Sequence, residues 1–144
     1  MNTRRLTLLF VALVGACVLR TCLFAVRIEG QSMEPTFYSG DYLIMRRSWS
    51  RTPQRFEIVT AKTGSEFVTK RVIGLPGELI WMKEGVIFIN GERWDEPFPV
   101  KRGVWTVKPG LIEANKFLLI GDNRDAGEHT FFVVPKENII AHAF

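Results

Sequence analysis

The hydrophobic pattern of the chain divides it into two unequal parts. Residues 6–26 are almost wholly apolar, broken by Arg20 and Thr21 near the end. As a helix, this segment would be about 31 Å long, close to the thickness of a bilayer's hydrocarbon core. Arg4 and Arg5 precede it, and basic flanks favour the cytoplasmic side. The pattern predicts a cytoplasmic tail (1–5), a transmembrane signal anchor (6–26) and an extracytoplasmic domain (27–144), with a bacterial plasma membrane as the simplest setting.

Two other interpretations of the apolar segment stay open. It could be a cleaved signal peptide, with Gly15 and Ala16 as a small-residue cleavage site, or a lipoprotein signal ending at Cys17. Polar residues normally follow a cleaved signal, whereas here the apolar run continues to Val26. A retained anchor is therefore the favoured interpretation.

The rest of the chain has the pattern of short β-strands. Segments rich in β-branched and aromatic residues are separated by Gly, Pro, Asn and Asp, and no segment shows a helical apolar period. Asn90-Gly91 predicts a two-residue hairpin turn, and Pro109-Gly110 predicts another turn. We expect an all-β domain, a compact barrel or folded antiparallel sheet, behind one helix. The predicted strands are 42–46, 56–62, 67–73, 86–89, 92–94, 104–107, 116–120 and 131–134.

Composition narrows the classes of function. The chain has 144 residues, enough for one domain, and 47% of them are hydrophobic. The net charge of +4 is scattered without a long basic run, which favours contact with membrane lipids over binding of nucleic acid. The histidines and acidic residues lack zinc-like spacing, so no metal or cofactor is expected. The four tryptophans are expected to pack in or beside the core, and the protein is expected to be a monomer.

Ser32 and Lys70 are the candidate chemical groups. A serine hydroxyl becomes nucleophilic when a base removes its proton. His129 and His142 make a Ser-His-Asp triad formally possible, but no Gly-x-Ser-x-Gly segment supports one. Lys70 lies in the apolar strand 67–73, where burial could bring its pKa from ~10.4 towards ~8 at a cost of ~3–4 kcal/mol.

Both residues also have ordinary explanations. Lys70 could point to solvent on one face of its strand, and Ser32 could belong to a plain turn fixed by Pro35. In the functional interpretation, the turn exposes Oγ of Ser32 and leaves its backbone N–H available to an oxyanion. Gly30 would then let a substrate backbone approach closely.

Four segments, in order, resemble the Ser–Lys type I signal peptidases, the family of bacterial leader peptidases and mitochondrial inner-membrane peptidases. Residues 30–36, Gly-Gln-Ser-Met-Glu-Pro-Thr, resemble the nucleophile box, and residues 40–44 resemble the strand that follows it. Residues 70–78 resemble the lysine box, and residues 121–125, Gly-Asp-Asn-Arg-Asp, resemble the last box.

The resemblance implies a membrane-bound endopeptidase that cleaves signal peptides from translocated preproteins without a cofactor. Ser32 would be the nucleophile and Lys70 the general base, supported by an Arg71–Asp122 ion pair and by Arg124. The substrate would add as a strand between residues 26–31 and 67–69. Its small −1 and −3 side chains would enter shallow pockets. The implied substrate-binding residues are Ile28, Gly30, Gln31, Met33, Leu43 and Val68.

The sequence departs from the family pattern after Asp125. Ala126 and Gly127 follow, and Gly127 stands where a serine that orients the lysine is expected. Phe131 stands where the family has arginine. Thr69, Thr130 or water could replace the orienting serine. The departure motivates one alternative, a catalytically weak, membrane-tethered peptide-binding module. Two others also stay open: a peptidase dedicated to a pilin or another single substrate, and a self-cleaving regulatory protease, which Ser-Met-x-Pro alone also resembles.

Overall fold

The computed structural model describes residues 3–48, 51–127 and 130–144, with the backbone alone for residues 3 and 16–21. Trp49, one of the four tryptophans, and His129, a candidate base above, lie outside the described residues. One helix, α1, precedes eleven strands and a short 3-10 helix in the described part of the chain. The strands are β1 (Leu23–Arg27), β2 (Tyr42–Arg47), β3 (Ile58–Thr63), β4 (Glu66–Gly74), β5 (Leu79–Lys83), β6 (Val86–Ile89), β7 (Glu92–Arg93), β8 (Val107–Leu111), β9 (Lys116–Ile120), β10 (Phe131–Pro135) and β11 (Ile139–Ala143); α1 is Thr3–Cys22 and the 3-10 helix is Lys136–Asn138.

The strands form two antiparallel sheets. A seven-stranded sheet has the order β1-β2-β11-β3-β4-β9-β10, and a four-stranded sheet has the order β7-β6-β5-β8. Every strand pairing within them is antiparallel. The prediction of a β domain built from antiparallel sheets is confirmed for the described residues.

Strand β9 shows why the core has two halves. Side chains alternate between the two faces of a strand, and four of its five residues are buried. Leu118 and Ile120 pack in one apolar cluster with residues of β5 and β6. Phe117 and Leu119 pack in a second cluster with residues of β3 and β10. Both faces of the strand are therefore covered, which explains its uninterrupted apolar sequence.

The Asn90-Gly91 hairpin is confirmed. β6 and β7 pair Ile89 with Glu92, which leaves the two predicted residues as the loop. Their φ angles are 52° and 91°, the left-handed values that this turn requires.

Three parts of the strand prediction were wrong. β8 begins at Val107 and continues through Pro109-Gly110, which the sequence assigned to a turn. A proline fits there because β8 is an edge strand whose pairing with β5 is irregular at that point. β5 and β11 were not predicted, and β3 begins at Ile58 rather than residue 56 because Phe56 has a φ of 70°.

The predicted hydrophobic helix 6–26 is also too long at its C-terminal end. α1 ends at Cys22, and the next residues form β1, which pairs along its whole length with β2. Pairing with β2 satisfies the backbone hydrogen bonds of residues 23–26 in the sheet rather than in a helix. Among the described residues, no helix combines the length and the hydropathy needed to span a membrane.

Candidate active site

Ser32 lies in the loop of residues 28–41 that connects β1 to β2. Ile28 and Met33 are buried and hold the loop against the body of the domain. Gly30 has a φ of 78°, and the N–H of Glu34 donates to the carbonyl of Gln31 at 3.1 Å. These features turn the chain sharply around Ser32, whose side chain faces β4.

Lys70 is the central residue of β4 and is only 6% exposed. Alternation along the strand sends Lys70 and Arg71 to opposite faces. The Lys70 Nζ lies 2.7 Å from the Ser32 Oγ and donates to the main-chain carbonyl of Thr69 at 3.2 Å. It also lies 5.8 Å from the centre of the Phe132 ring. The structure thus joins the two candidate residues, which are far apart in sequence, by a direct contact.

Burial changes the acid–base chemistry of this lysine. Removal from water disfavours the ammonium form and lowers the pKa of Lys70 from 10.5 to about 8, while the negative charge of Asp122 opposes the shift. At pH 7, about one molecule in ten would then hold a neutral amine. An amine of this kind can accept the proton of a hydroxyl 2.7 Å away.

Arg71 and Asp122 form a buried, two-point ion pair behind the lysine. The Arg71 Nε donates to Asp122 Oδ1 at 2.8 Å and Nη2 donates to Oδ2 at 2.5 Å. Its Nη1 donates to the carbonyl of Phe56 at 2.9 Å, and the guanidinium lies 3.8 Å from the centre of the Phe98 ring. Thr36, from the loop that carries Ser32, donates its hydroxyl to Asp122. The pair therefore links β4 to the loop that carries Ser32.

The segment of residues 121–125 contacts the backbone around Ser32 directly. The N–H of Asn123 donates to the carbonyl of Ser32 at 3.0 Å, and its side-chain amide donates to the carbonyl of Gln31 at 3.0 Å. A Cβ on Gly121 would lie 2.3 Å from the Ser32 carbonyl oxygen. A glycine is required at position 121 because the two backbones approach so closely.

Arg124 holds this segment in place from the interior of the domain. Its side chain is fully buried, and Nε donates to the carbonyl of Gly121 at 2.7 Å. Its Nη2 forms an ion pair at 2.5 Å with Glu96, whose side chain is 2% exposed. Sequence reasoning missed Glu96, because an acidic residue between Asp95 and Pro97 carries no sign of a buried partner 28 positions later.

The altered last box does not orient Lys70 through a threonine hydroxyl. The Thr130 hydroxyl donates to the carbonyl of Gly127 at 2.8 Å, and the Thr69 hydroxyl lies 3.0 Å from that of Thr60. Neither threonine hydroxyl therefore replaces the family's serine, and replacement by water stays a prediction. The main-chain carbonyl of Thr69 contacts the amine instead, while Phe131 packs beside the first apolar cluster.

A groove of about 280 Å³ opens beside Ser32 and Lys70. Ile28, Met33 and Val68 line it, together with residues 26–29 at one side and 67–70 at the other. Gly30, Gln31 and Leu43 are not among the lining residues; Leu43 lies in β2 and pairs with Val26. Within the described residues, no three His, Cys, Asp or Glu side chains form a group that could hold a metal ion.

Comparison with known proteins agrees with this geometry. Residues 2–144 match the family model for signal peptidase, peptidase S26. A probable signal peptidase I-2 of Synechocystis sp. is 32% identical over 92% of this chain and 67% of its own length. A signal peptidase I of Bacillus caldolyticus is 35% identical over 80% of this chain and 73% of that protein.

A solved signal peptidase I of Enterococcus faecalis V583 is 22% identical, with a TM-score of 0.49, over 62% of this chain and 94% of that one. The family match extends over nearly the whole chain, and the curated relatives share about a third of its residues. The chain therefore belongs to the signal peptidase family, peptidase S26, and is a hydrolase of that family.

Proposed function

We propose that this chain is a membrane-anchored serine endopeptidase that removes signal peptides from preproteins, with Ser32 as nucleophile and Lys70 as general base. The contact of 2.7 Å between Nζ and Oγ carries the proposal, because it joins a nucleophile to a buried amine. The lowered pKa of that amine, about 8, makes it a usable base near neutral pH.

Catalysis proceeds through an acyl-enzyme. Lys70 takes the proton of the Ser32 hydroxyl as Oγ attacks the scissile carbonyl, and then gives that proton to the departing amine. A water molecule attacks the resulting ester, with Lys70 again accepting a proton, and Ser32 is regenerated. Asp122 and Arg71 hold the strand and the loop in the geometry that this exchange needs.

The oxyanion of the tetrahedral intermediate has a donor in the nucleophile's own backbone. Within the described residues, the N–H of Ser32 has no hydrogen-bond partner. The nearby Gly30 has no side chain, and no atom lies within 4 Å of the position that a Cβ would occupy there. The Ser32 N–H is therefore available to the oxyanion, and no side chain at position 30 stands beside it.

The substrate is bound as an extended strand in the groove. β9 pairs with β4 only from Arg71 to Gly74, so in the described residues no strand covers the edge of 66–70 that faces away from β3. Residues 26–29 supply the opposite wall. A peptide between them gains main-chain hydrogen bonds on both sides, while Ile28, Met33 and Val68 leave room for small side chains.

Anchoring at a membrane is the remaining part of the proposal. Apolar side chains of α1 are exposed all round the helix, including Leu8, Phe10 and Leu13 at 67–71%. Such a helix needs an apolar environment. The proposed setting is a bacterial plasma membrane, with the β domain on the outer side. The chain is proposed to be a monomer that contacts the lipids.

The test is cleavage of a secretory preprotein by the detergent-purified full chain between pH 6 and 10. We expect cleavage after a small residue, a loss of about 10²–10⁴-fold in Lys70→Ala, and a loss at least as large in Ser32→Ala, which removes the nucleophile. The rate should rise with pH up to about 8, because the active form is the neutral amine, and then level off.

Lys62→Ala, which removes an exposed lysine from the neighbouring strand β3, is the matched control and should cleave normally. Persistent cleavage in both dyad variants would contradict the assigned roles. A correctly folded chain that cleaves no preprotein would contradict the proposed activity.

A further inference from the structure

A second serine, outside the groove, lies in a chain of hydrogen bonds with a histidine and a glutamate. Ser48 follows β2 directly, Glu57 precedes β3, and His142 lies in β11, the strand between those two. The His142 Nε2 lies 2.8 Å from the Ser48 Oγ, and its Nδ1 lies 3.0 Å from Glu57 Oε2. The connectivity is that of a hydrolase triad: hydroxyl, imidazole, carboxylate.

The carboxylate determines the direction of these hydrogen bonds. Glu57 accepts hydrogen bonds from Arg51 and, at 3.0 Å, from the N–H of Gln54, so its oxygens act as acceptors. The Nδ1 of His142 must then carry the proton that is donated to Glu57. That tautomer leaves Nε2 as an acceptor, and the Ser48 hydroxyl donates to it.

The surroundings keep this histidine neutral. His142 is 1% exposed, and burial lowers its pKa from 6.5 against the opposing effect of Glu57. The cationic groups that face it are Arg51 and, on the paired strand β2, Arg46; both lower the pKa further. Its partner on β3 is the apolar Val59. The imidazole is thus available as a base at neutral pH, and Ser48 itself is half-buried rather than enclosed.

We propose that Ser48, His142 and Glu57 form a second hydrolytic site, in which Ser48 Oγ accepts the acyl group of a small activated ester. Oγ bonds to the ester carbonyl carbon while His142 takes the hydroxyl proton. The bond to the leaving alcohol then breaks, and that alcohol receives the proton. Water hydrolyses the acyl-serine with His142 as base, which releases the acid and restores the hydroxyl.

The backbone limits the substrates of this site. The N–H of Ser48 donates to the carbonyl of Ile140 at 2.8 Å and cannot also stabilise an oxyanion. Loss of one such donor costs a hydrolase about 10²–10³-fold. The site should therefore act on esters with a good leaving group and leave peptide bonds intact, which separates its activity from that of the groove.

The experiment measures acetylation by p-nitrophenyl acetate in the full chain carrying Ser32→Ala, so that the first nucleophile is absent. Mass spectrometry locates the acetyl group. We expect Ser48 to be acetylated at least about 10²-fold faster than Ser39, an exposed serine without a histidine partner. Adding Ser48→Ala or His142→Gln should abolish the fast p-nitrophenol release, and adding Ser39→Ala should not change it.

The pH profile identifies the base. Acetylation of Ser48 should rise with pH to a plateau with a midpoint below 6.5, because His142 must be deprotonated; a midpoint near 8 would instead indicate a lysine base. Ser48→Ala keeps the backbone bond to Ile140 but leaves Nε2 of the buried His142 without its donor, so thermal unfolding should shift down by a few degrees while the chain still folds. If His142→Gln does not fold, Glu57→Gln replaces it. Acetylation of Ser48 no faster than that of Ser39, or unchanged in the folded histidine or glutamate variant, would overturn the proposal.

Discussion

Burial of the Lys70 amine lowers the stability of the fold, and under the proposed function the same burial makes the amine a usable base. The lysine is 6% exposed, and its pKa of about 8 in the folded chain lies below the ordinary value of 10.5. The unfolded chain therefore binds more protons between these two values, and stability rises with pH across that window. Below pH 8, the full cost of burying the charge is present, about 3 kcal/mol.

Replacing the lysine by an apolar side chain should relieve that cost. We expect Lys70→Met to raise the free energy of unfolding at pH 7 by about 1–3 kcal/mol, since the lost contact with Ser32 offsets part of the gain. The gain should shrink between pH 8 and 10.5. Denaturant unfolding at several pH values measures it, and Lys62→Met, at an exposed position, should change stability little. A Lys70→Met chain that is less stable at every pH would contradict the argument.

At the scale of elements, two loops determine where Ser32 lies. The β1–β2 loop carries Ser32, and the segment after β9 holds it through Asn123 and Asp122. Gly121 is the point of closest approach between them. The ion pair of Arg124 and Glu96 fixes the second loop in turn. Ser32 therefore depends on contacts that neither loop provides alone.

A methyl group at the closest approach should separate the two loops. In Gly121→Ala, the new Cβ would meet the Ser32 carbonyl oxygen at 2.3 Å, so the nucleophile must move by about 1 Å. We expect kcat/KM for a preprotein to fall by about 10²-fold, because the amine and hydroxyl no longer meet. Gly110→Ala is the matched control, since nothing lies within 4 Å of its Cβ. Equal activity of the two variants would show that the loop adapts.

At the scale of the whole molecule, the candidate site and the apolar helix α1 are separate parts. The groove is formed by residues of β1, β3, β4 and the loop that carries Ser32, whereas the exposed apolar side chains of α1 lie outside it. Under the proposed function, α1 concentrates the site at the membrane where the apolar part of a signal peptide resides. Its contribution is effective concentration, which can reach 10²–10⁴-fold.

Charged substitutions in α1 should separate the contribution of the groove from that of membrane anchoring. Leu9→Lys with Leu13→Lys adds about 2.5–3.5 kcal/mol per residue to the cost of placing the helix in a bilayer. We expect the variant to leave the membrane fraction and to lose most cleavage of membrane-bound preprotein, while cleavage of a short soluble peptide stays unchanged. Val104→Lys adds a charge at an exposed apolar site of the β domain and serves as control. Retention of the double variant in membranes would contradict the role of α1.

Much of the local structure was decided by the sequence alone. Runs of β-branched and aromatic residues between turn residues located β2, β4, β6, β9 and β10 to within one residue, because these side chains favour extended backbone and Gly, Pro, Asn and Asp interrupt it. Asn90-Gly91 determined its hairpin, since those residues accept positive φ angles. The motifs around Ser32 and Lys70 also pointed to a serine with a lysine base, and their family is confirmed.

Only the tertiary structure decided the features that depend on a distant partner. β1 continues an apolar run and β8 contains Pro109, yet both are strands because β2 and β5 offer them an edge. The carbonyl of Thr69, rather than a threonine hydroxyl, contacts Lys70 because the fold gives each hydroxyl another partner. The clusters of Glu96 with Arg124, and of Ser48 with His142 and Glu57, join residues 28 to 94 positions apart. Such contacts follow from chain topology, which a local pattern of residue types does not encode.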